Sequence, residues 1–316
     1  MNIIKNILIT TSSFDVEKNL SVLKMKNKNF QFILNPLKRK LSAIEVCDLF
    51  DKYQPLGMIA GVESLGFDQL KIAKSLKVVS RCGAGLDTVD LVAAQRLGIT
   101  VFNTPDAPAP SVAELALGLI LSCLRKIPQA DQTIRNGSWG AIKGNLLSDK
   151  TVGIVGFGRI GKLLAHLLIG FNVRLIIFDP FIKQADELPG LLESNLSKLF
   201  ASSDIISLHL PYSSGTHHLV DENLLKIMKK QAILINVSRG GLVNEEHLYQ
   251  ALLRNSFFSA GLDVFEDEPY TGRLKDLPNI VMTCHMGSAA QETRQLMEDE
   301  AARNLLIGLQ SAGCLI

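Results

Sequence analysis

Short apolar runs alternate with helical patterns along almost the whole chain. Five apolar runs in the first third have the length and composition of buried strands, and they cover 3–10, 30–34, 57–60, 78–80 and 99–103. One of the helical patterns between them, 42–52, begins with Ser42 as N-cap and has Glu45 at the capping-box position. This alternation predicts a small α/β unit.

A proline-rich segment separates this region from the next. Three prolines fall within 105–110, which excludes a regular helix or a central strand there. We therefore predict a linker that ends at Ser111, an N-cap with Glu114 at the capping-box position. The helix that follows is apolar on nearly every face between Ala113 and Leu124. Such a helix must be buried on more than one side, at a domain seam or at a dimer interface.

A second α/β region starts at residue 151. Its strand patterns cover 151–155, 174–178, 205–208, 232–236, 259–263 and 280–283. Helical patterns fill the gaps, which predicts a parallel sheet with right-handed crossovers. Six strands are the number in a complete doubly wound dinucleotide fold. The last pattern, 290–310, is one amphipathic helix that we expect to pack on the first region.

Composition and charge narrow the class of protein. The chain has 316 residues, which favours two domains, and its 47% hydrophobic residues indicate a globular protein. A net charge of +2 predicts neither a nucleic acid nor a membrane surface as partner. The five cysteines are odd in number and have no metal-site spacing, which favours the cytoplasm over an oxidising compartment. The N-terminus has the pattern of a strand and not of a signal peptide.

A glycine-rich turn follows the first strand of the second region. Gly156, Gly158 and Gly161 have the GxGxxG spacing between a buried strand and a helix. In that context the glycines allow a tight turn, close approach to a pyrophosphate and close helix packing, and the helix N-terminus faces the phosphates. Asp179 ends the next strand, 23 residues after Gly156, where a carboxylate binds ribose hydroxyls and repels a 2′-phosphate. The motif predicts a dinucleotide site that prefers NAD to NADP.

Three segments near the end of the chain contain candidate catalytic groups, each after a predicted strand. Arg239 could hold the planar carboxylate and adjacent carbonyl of a 2-oxo acid, although taken alone it fits a surface arginine equally well. An acidic run, 263–268, follows the next strand, and His285 follows the last. Histidine suits the proton exchange that accompanies hydride transfer to a carbonyl. These segments predict hydride transfer between a nicotinamide and a small 2-hydroxy acid.

Taken together, the motifs resemble the D-isomer-specific 2-hydroxyacid dehydrogenase family, and most closely its D-3-phosphoglycerate dehydrogenase-like branch. The matching stretches are 81–87, 103–105, 113–115, 151–161, 236–244, 262–269 and 285–293. The resemblance implies a Rossmann-type doubly wound parallel sheet domain, 104–289, that binds NAD. This domain would be inserted in a smaller flavodoxin-like α/β domain, 1–103 with 290–316, that binds the substrate. The resemblance also implies a homodimer through the region after the linker, around Ala113 to Leu124.

The resemblance further implies roles for individual residues. Arg239 would bind the substrate carboxylate and carbonyl, Glu268 would be the partner of the histidine, and His285 would donate and accept the proton. Besides the three glycines of the turn, the cofactor contacts would be Arg159, Ile160, Asp179, Leu210, Pro211, Thr216, Val237, Ser238, Asp263 and Gly287. Substrate contacts in the first domain would be Arg81, Gly83, Ala84 and Gly85. NAD is the cofactor implied, without a metal.

Two departures from the family pattern bear on this reading. Cys284 stands where the family usually has a proline before the histidine. In the segment 61–66, phosphoglycerate enzymes usually have an arginine that binds the substrate phosphate, whereas this chain has Glu63 and no arginine. Arg81 then remains as one candidate partner of a phosphate. Glyoxylate or hydroxypyruvate reduction is therefore an alternative to phosphoglycerate oxidation. An NAD(H)-sensing, corepressor-like binding protein of the same fold is a second alternative.

Overall fold

Two parallel β-sheets organise the residues that the computed structural model describes, which are 5–19, 22, 25, 29–182 and 190–314. Each sheet belongs to one compact unit. The first unit contains Met1–Pro108 and Ala290–Ile316, and the second contains Ala109–Ala289. The first boundary falls inside the proline-rich segment. Over these described residues, no helix combines the length and apolar character that a membrane span requires.

Within its described residues, the first unit contains five parallel strands in the order β2-β1-β3-β4-β5. They are β1 (Lys5–Ile9), β2 (Phe30–Leu34), β3 (Gly57–Ala60), β4 (Val78–Arg81) and β5 (Thr100–Phe102). The prediction that the five apolar runs form strands is confirmed, although residues 3 and 4 of the first run lie outside the described residues. The helices are α1 (Ala43–Tyr53), α2 (Phe67–Leu70), α3 (Leu91–Arg96) and the C-terminal α10 (Gln291–Ser311).

Alternating residues of the strands supply the two faces of this sheet. Ile7 and Ile9 of β1 pack in one cluster with Leu305 of α10, while Leu8 packs on the opposite face with Phe50 of α1. This alternation is the period of two that a pleated strand imposes. The predicted capping box of α1 is confirmed by reciprocal hydrogen bonds between Ser42 and Glu45.

The second unit, apart from the undescribed residues 183–189, contains seven parallel strands in the order β12-β11-β10-β9-β6-β7-β8. They are β6 (Thr151–Val155), β7 (Arg174–Phe178), β8 (Leu191–Leu192), β9 (Ile205–Leu208), β10 (Ile233–Asn236), β11 (Ser259–Leu262) and β12 (Ile280–Met282). The helices are α4 (Ala109–Arg125), α5 (Ile127–Arg135), α6 (Arg159–Ile169), α7 (Leu196–Ser202), α8 (Glu222–Lys226) and α9 (Glu245–Leu253). The six predicted strands are confirmed. Strand β8 was not predicted, because its two residues are too few for an apolar run.

The start and the surroundings of α4 differ from the prediction. The helix begins at Ala109 and includes Pro110, so the predicted N-cap at Ser111 is wrong. Proline is tolerated there because N–H groups in the first turn have no partner within the helix. The fully buried residues of α4 between Ala113 and Leu124 lie on one face, which packs in a core with residues of β6, β10 and α6, whereas Leu115, Leu117 and Leu121 are only partly buried. The unit's own sheet and α6 therefore cover this face.

Candidate active site

The predicted functional residues of the second unit lie at the carboxyl edge of its sheet. Gly156 follows β6 and Asp179 follows β7. Arg239 follows β10, and His285 follows β12. Because these strands are parallel, their carboxyl ends meet at one edge, which is where open α/β sheets bind ligands. The chain order reverses between β6 and β9, as it does at the crevice of a doubly wound sheet.

The glycine turn has the geometry that its spacing predicts. Gly156 has a φ of +94°, and a Cβ there would lie only 2.7 Å from the carbonyl oxygen of His209. A Cβ at Gly161 would overlap the carbonyl of Gly156, so a glycine is needed for helix α6 to approach the turn. Gly158 is the N-cap of α6, and a Cβ there would have nothing within 4 Å. The open space and the unshared helix N–H groups fit a pyrophosphate.

Asp179 is already engaged with the turn but retains acceptor capacity. Its Oδ2 accepts a hydrogen bond from the backbone N–H of Phe157 at 2.8 Å, and its Oδ1 accepts one from Phe181 at 2.9 Å. An ionised carboxylate has about four lone-pair positions, so each oxygen can still accept a ribose hydroxyl. The turn, the α6 N-terminus and Asp179 together fit a dinucleotide.

Other predicted cofactor residues lie in the loop after β9. Thr216 Oγ1 donates to the carbonyl of Pro211 at 2.9 Å and accepts the N–H of Ser213 at 2.8 Å, so this loop is closed on itself. Leu210 is half-buried beside it. Ile160 and Arg159 are in the first turn of α6, at the dinucleotide turn.

His209, which was not predicted as a site residue, lies at the carboxyl end of β9 beside Gly156. Its Nε2 lies 2.8 Å from Ser207 Oγ, and its buried Nδ1 has no hydrogen-bond partner among the described residues. Burial lowers the pKa of His209 to about 3, so the ring is neutral at physiological pH. In the sequence, the signal that could have identified His209 is its position directly after a buried strand, next to the turn.

The loop that contains Arg239 is tied down by Asn236, whose role the sequence analysis missed. The buried Asn236 accepts the N–H of Ser238 at 3.1 Å and donates to the carbonyl of Arg239 at 2.9 Å. Ser238 Oγ donates to the carbonyl of Leu208 at 2.6 Å, which joins this loop to β9. Ser238 and the buried Val237 were predicted as cofactor contacts, and both lie at this strand end.

Gly240 brings Arg239 against the acidic segment. A Cβ at Gly240 would overlap the backbone of Phe265, so only glycine permits this approach. Arg239 Nη1 donates to the carbonyl of Ser238 at 2.7 Å. The guanidinium is also near enough to Glu268 for its charge to act on that carboxylate.

His285 and Glu268 form the central pair of the site. Nδ1 of His285 lies 2.7 Å from Oε2 of Glu268, whose Oε1 accepts the N–H of Phe265 at 3.1 Å. Burial acts to raise the pKa of Glu268, but the hydrogen bond and charge of His285 outweigh it, with Arg239 adding to the effect. The pKa of Glu268 is therefore below its ordinary value, and the carboxylate stays ionised beside the ring.

Asp263 anchors the loop that presents His285. This carboxylate is 1% exposed, and its oxygens accept Thr283 Oγ1 at 2.6 Å and the N–H groups of Met286 at 2.9 Å and Gly287 at 2.8 Å. Its carbonyl accepts the N–H of His285 at 2.7 Å. Asp263 and Gly287 were predicted as cofactor contacts. Their hydrogen bonds give both of them a role in holding the loop, with Thr283 as a partner that the sequence analysis missed.

The predicted substrate residues of the first unit follow β4. Gly83 has a φ of +143°, and its N–H donates to Thr104 Oγ1 at 2.7 Å. The guanidinium of Arg81 folds against Gly83 and donates to the carbonyl of Cys82. The carbonyl of Ala84 accepts Asn103 Nδ2 at 2.6 Å, which fixes the loop before Gly85. Across the part of the chain described here, no three His, Cys, Asp or Glu side chains are arranged to hold a metal.

A doubly wound parallel sheet with this glycine turn defines the class of dinucleotide-binding α/β proteins. The family model of the D-isomer specific 2-hydroxyacid dehydrogenase, NAD binding domain, matches residues 117–287, more than half of the chain. The chain belongs to this family of oxidoreductases, and its second unit is an NAD-binding domain.

Similar proteins include enzymes with different substrates. The hydroxypyruvate reductase of Thermotoga maritima is 41% identical over 234 residues, which are 72% of this chain and 76% of that protein. The D-3-phosphoglycerate dehydrogenase of Methanocaldococcus jannaschii is 40% identical over 72% of this chain, but over only 44% of its own length. The NADPH-dependent glyoxylate/hydroxypyruvate reductase of Sinorhizobium meliloti, solved with NADP and malonate, has a TM-score of 0.83 at 31% identity, covering 98% of this chain and 95% of that one.

Proposed function

We propose that this protein interconverts a small 2-oxo acid and the corresponding D-2-hydroxy acid, with NAD as the hydride carrier. The observation that carries the proposal is the 2.7 Å contact between His285 and Glu268, at the sheet edge that also contains the dinucleotide turn. Arg239 follows a neighbouring strand of the same edge. A proton donor, its carboxylate partner and a carboxylate-binding cation are the groups that this reaction requires.

Each of the three side chains has a distinct task. A bound nicotinamide dinucleotide supplies the hydride for reduction at C2 of the substrate. Glu268 keeps a proton on Nδ1 of His285, which leaves Nε2 to donate a proton to the carbonyl oxygen. The Arg239 guanidinium binds the substrate carboxylate and polarises the adjacent carbonyl. In the direction of oxidation, His285 accepts the proton from the substrate hydroxyl.

Within this class, we propose a substrate without phosphate, such as hydroxypyruvate or glyoxylate. The segment 61–66 supports this choice, because it contains Glu63 and no arginine where phosphoglycerate enzymes usually have one. The T. maritima relative is named a hydroxypyruvate reductase. Phosphohydroxypyruvate is the second candidate, because a relative is named D-3-phosphoglycerate dehydrogenase and Arg81 lies beside the substrate loop.

The test is an NADH-oxidation screen over glyoxylate, hydroxypyruvate, phosphohydroxypyruvate, pyruvate and branched 2-oxo acids, repeated with NADPH. His285→Ala and Arg239→Ala should each lower kcat/KM by about 10²–10⁴-fold while NADH binding survives. The matched controls are His166→Ala and Arg254→Ala, at helix ends away from the edge, which should keep normal activity. Tight NADH binding without turnover of any 2-oxo acid would favour the NAD(H)-sensing protein instead.

We also propose a homodimer, formed by the segment after α4 and not by the buried face of α4. Helix α5 has no buried residue, and Ile134, Trp139 and Leu146 in and after it are 59%, 91% and 70% exposed. Large exposed apolar side chains in one segment are typical of interfaces. Light scattering should give a dimer, and Trp139→Ser should weaken it at least about tenfold. Phe181→Ser, at another site that is 90% exposed, is the control.

We expect the protein to work in the cytoplasm. All five cysteines are free thiols, and none is placed for a disulfide. Detection of the protein in a fraction outside the cytoplasm would contradict this expectation.

A further inference from the structure

A second histidine–glutamate pair involves the acidic segment that contains Glu268. Nε2 of His218 lies 3.0 Å from Oε1 of Glu266, which is two residues before Glu268. Nδ1 of His218 faces Nδ2 of Asn244 at 3.2 Å, and Asn244 is oriented because its Oδ1 accepts the N–H of His247. An amide NH₂ group can only donate, so Nδ1 accepts and Nε2 bears the hydrogen that is donated to Glu266.

His218 is held in place by its backbone and by its ring. Its N–H donates to the carbonyl of Gly241 at 2.8 Å, in the loop that contains Arg239. Its ring is stacked on that of His217, with 3.7 Å between the ring centroids. Nδ1 of His217 lies 3.1 Å from the hydroxyl of Tyr212, in the loop after β9 that contains predicted cofactor residues. His218 thus connects the loop after β9 with the loop after β10.

Glu266 fixes the acidic segment to its surroundings. Its Oε1 also accepts the N–H of Glu245 at 3.1 Å, and its own N–H donates to Oε1 of Glu245 at 2.7 Å. These bonds join the segment to the start of α9. One residue earlier, the N–H of Phe265 donates to Oε1 of Glu268 at 3.1 Å. A shift of the segment at Glu266 would therefore also move the group that orients the carboxylate of Glu268.

The carboxylates of this segment repel one another. Burial raises the pKa of Glu245, and the negative charges of three neighbours add to this effect, namely Glu266, Asp267 and Glu268. Like charges at short distance favour a wider spacing of the side chains. A hydrogen bond to a charged acceptor is stronger than a neutral one, so the contact from His218 counteracts this repulsion at Glu266.

We propose that His218 is a positioning residue for the reaction, an inference that rests on the function proposed above. By donating to Glu266, it holds the acidic segment in the position at which Glu268 meets His285. His218 acts on the reaction through these residues and is not itself the proton donor. A displacement of about 1 Å at a catalytic group lowers turnover about 10²-fold, so even a partial shift of the segment is measurable.

Two replacements of His218 separate its hydrogen bond from its backbone conformation. His218→Gln keeps a donor at about the position of Nε2, whereas the shorter side chain of His218→Asn does not reach Glu266. Both variants lose the ring. His218 has a φ of +51°, a left-handed conformation that asparagine adopts more readily than glutamine. Backbone strain would therefore favour His218→Asn, and the hydrogen bond would favour His218→Gln.

We would measure kcat and KM with NADH and the 2-oxo acid that the wild type uses best, and the Kd of NADH. His218→Asn should lower kcat at least about tenfold, because the segment shifts. His218→Gln should lower kcat about threefold or less, because a donor remains. In both variants KM and the Kd of NADH should change about threefold at most, since the binding groups are unaltered.

His247→Ala is the matched control, since it removes another hydrogen-bonded histidine of the same unit. The ring of His247 accepts the N–H of Glu222 at 3.3 Å, and its replacement leaves in place the backbone N–H that orients Asn244. This variant should keep the kcat of the wild type.

A double-mutant cycle tests whether His218 acts through Glu266. Glu266→Ala removes the acceptor and should also lower kcat at least about tenfold. The double variant with His218→Asn should lose no more than about threefold beyond the weaker single variant, because one interaction cannot be lost twice. Losses that multiply would show that the two residues act independently and would overturn the inference.

Other outcomes distinguish this inference from the function itself. A wild-type kcat in His218→Asn, or a lower kcat in His218→Gln than in His218→Asn, would overturn the inference and leave the proposed function intact. No turnover of any 2-oxo acid by the wild type would contradict both. If His218→Asn fails to fold, as judged by circular dichroism, Glu266→Ala decides, and a wild-type kcat in that variant overturns the inference.

Discussion

Replacing Asp263 by asparagine tests whether this residue holds the catalytic loop or contacts the cofactor. The carboxylate is 1% exposed and accepts three hydrogen bonds, from Thr283, Met286 and Gly287. Asparagine offers one acceptor oxygen and puts an NH₂ group where the other oxygen was, so at least one buried donor loses its acceptor. The expected loss is about 2–4 kcal/mol, because hydrogen bonds to a charged group are stronger than neutral ones.

This loss has two readouts, stability and turnover. For a domain of this size it corresponds to a decrease in Tm of roughly 4–16 °C, measured by differential scanning fluorimetry. The same loop positions His285, and a displacement of about 1 Å would lower kcat about 10²-fold. NADH affinity, measured by isothermal titration calorimetry, should change little.

The control is Asp204→Asn, at the amino end of β9. Asp204 accepts the N–H of Thr151 at 2.8 Å and pairs with Lys229 at 3.0 Å, so its replacement should lower Tm without changing kcat. An Asp263→Asn enzyme with wild-type Tm and kcat would refute the anchoring role. A rise in the NADH Kd of at least about tenfold at unchanged kcat would make Asp263 a cofactor ligand instead.

Three further predictions concern the same sheet edge. Gly240→Ala should lower kcat/KM about 100-fold, because the new Cβ meets the backbone of Phe265, whereas Gly170→Ala, in open space, should have no effect. Asp179→Ala should raise the Kd of NADH at least about tenfold, because the lost carboxylate accepts hydrogen bonds from the ribose hydroxyls, and it should raise the Kd of NADPH much less. Both Kd values can be measured by fluorescence titration, and equal effects on the two cofactors would contradict this role of Asp179. Because the pKa of Glu268 is lowered, its ion pair with His285 is fully formed at any pH above the ordinary glutamate pKa. The ion pair is lost only as the pH falls through the lower pKa that Glu268 has in the folded protein. On the acid side of a pH–rate profile, kcat/KM for reduction should therefore fall only below the ordinary glutamate pKa, and an acid midpoint above that pKa would contradict the pairing.

Much of the fold could be predicted because buried parallel strands are continuous apolar runs. Each strand predicted in the second unit is present, and the turn at Gly156 was recognised because the glycine spacing lies between a strand and a helix. The start of α4 was misplaced because Pro110 was read as a break, although the first helical turn needs no N–H there. Strand β8 was missed because its two residues have no period.

The reactive residues of the site could be predicted from the sequence, but the residues that hold its loops in place could not. The position of His285 after a strand singled it out, and the acidic run 263–268 was recognised in the same way, but Glu268 was identified within that run only through the family resemblance. Asn236 and Thr283 have no comparable signal in the sequence, because each acts only through hydrogen bonds that hold a loop. The conformation of that loop is set by the fold. Asp263 was predicted as a cofactor contact, and its role in holding the loop could not be predicted because a sequence does not reveal which donors surround a buried carboxylate.

The hydrogen bonds of two buried carboxylates lead to opposite predictions for their replacement. Asp263 and Glu63 are each 1% exposed, but Asp263 has donors on both oxygens, whereas Oε2 of Glu63 has none in the described chain. Burial of a charge is tolerable where hydrogen bonds compensate it, and it is costly where they do not. Glu63→Gln should therefore leave Tm unchanged or raise it, while Asp263→Asn lowers it. A comparable decrease in both variants would show that Glu63 is a structural support.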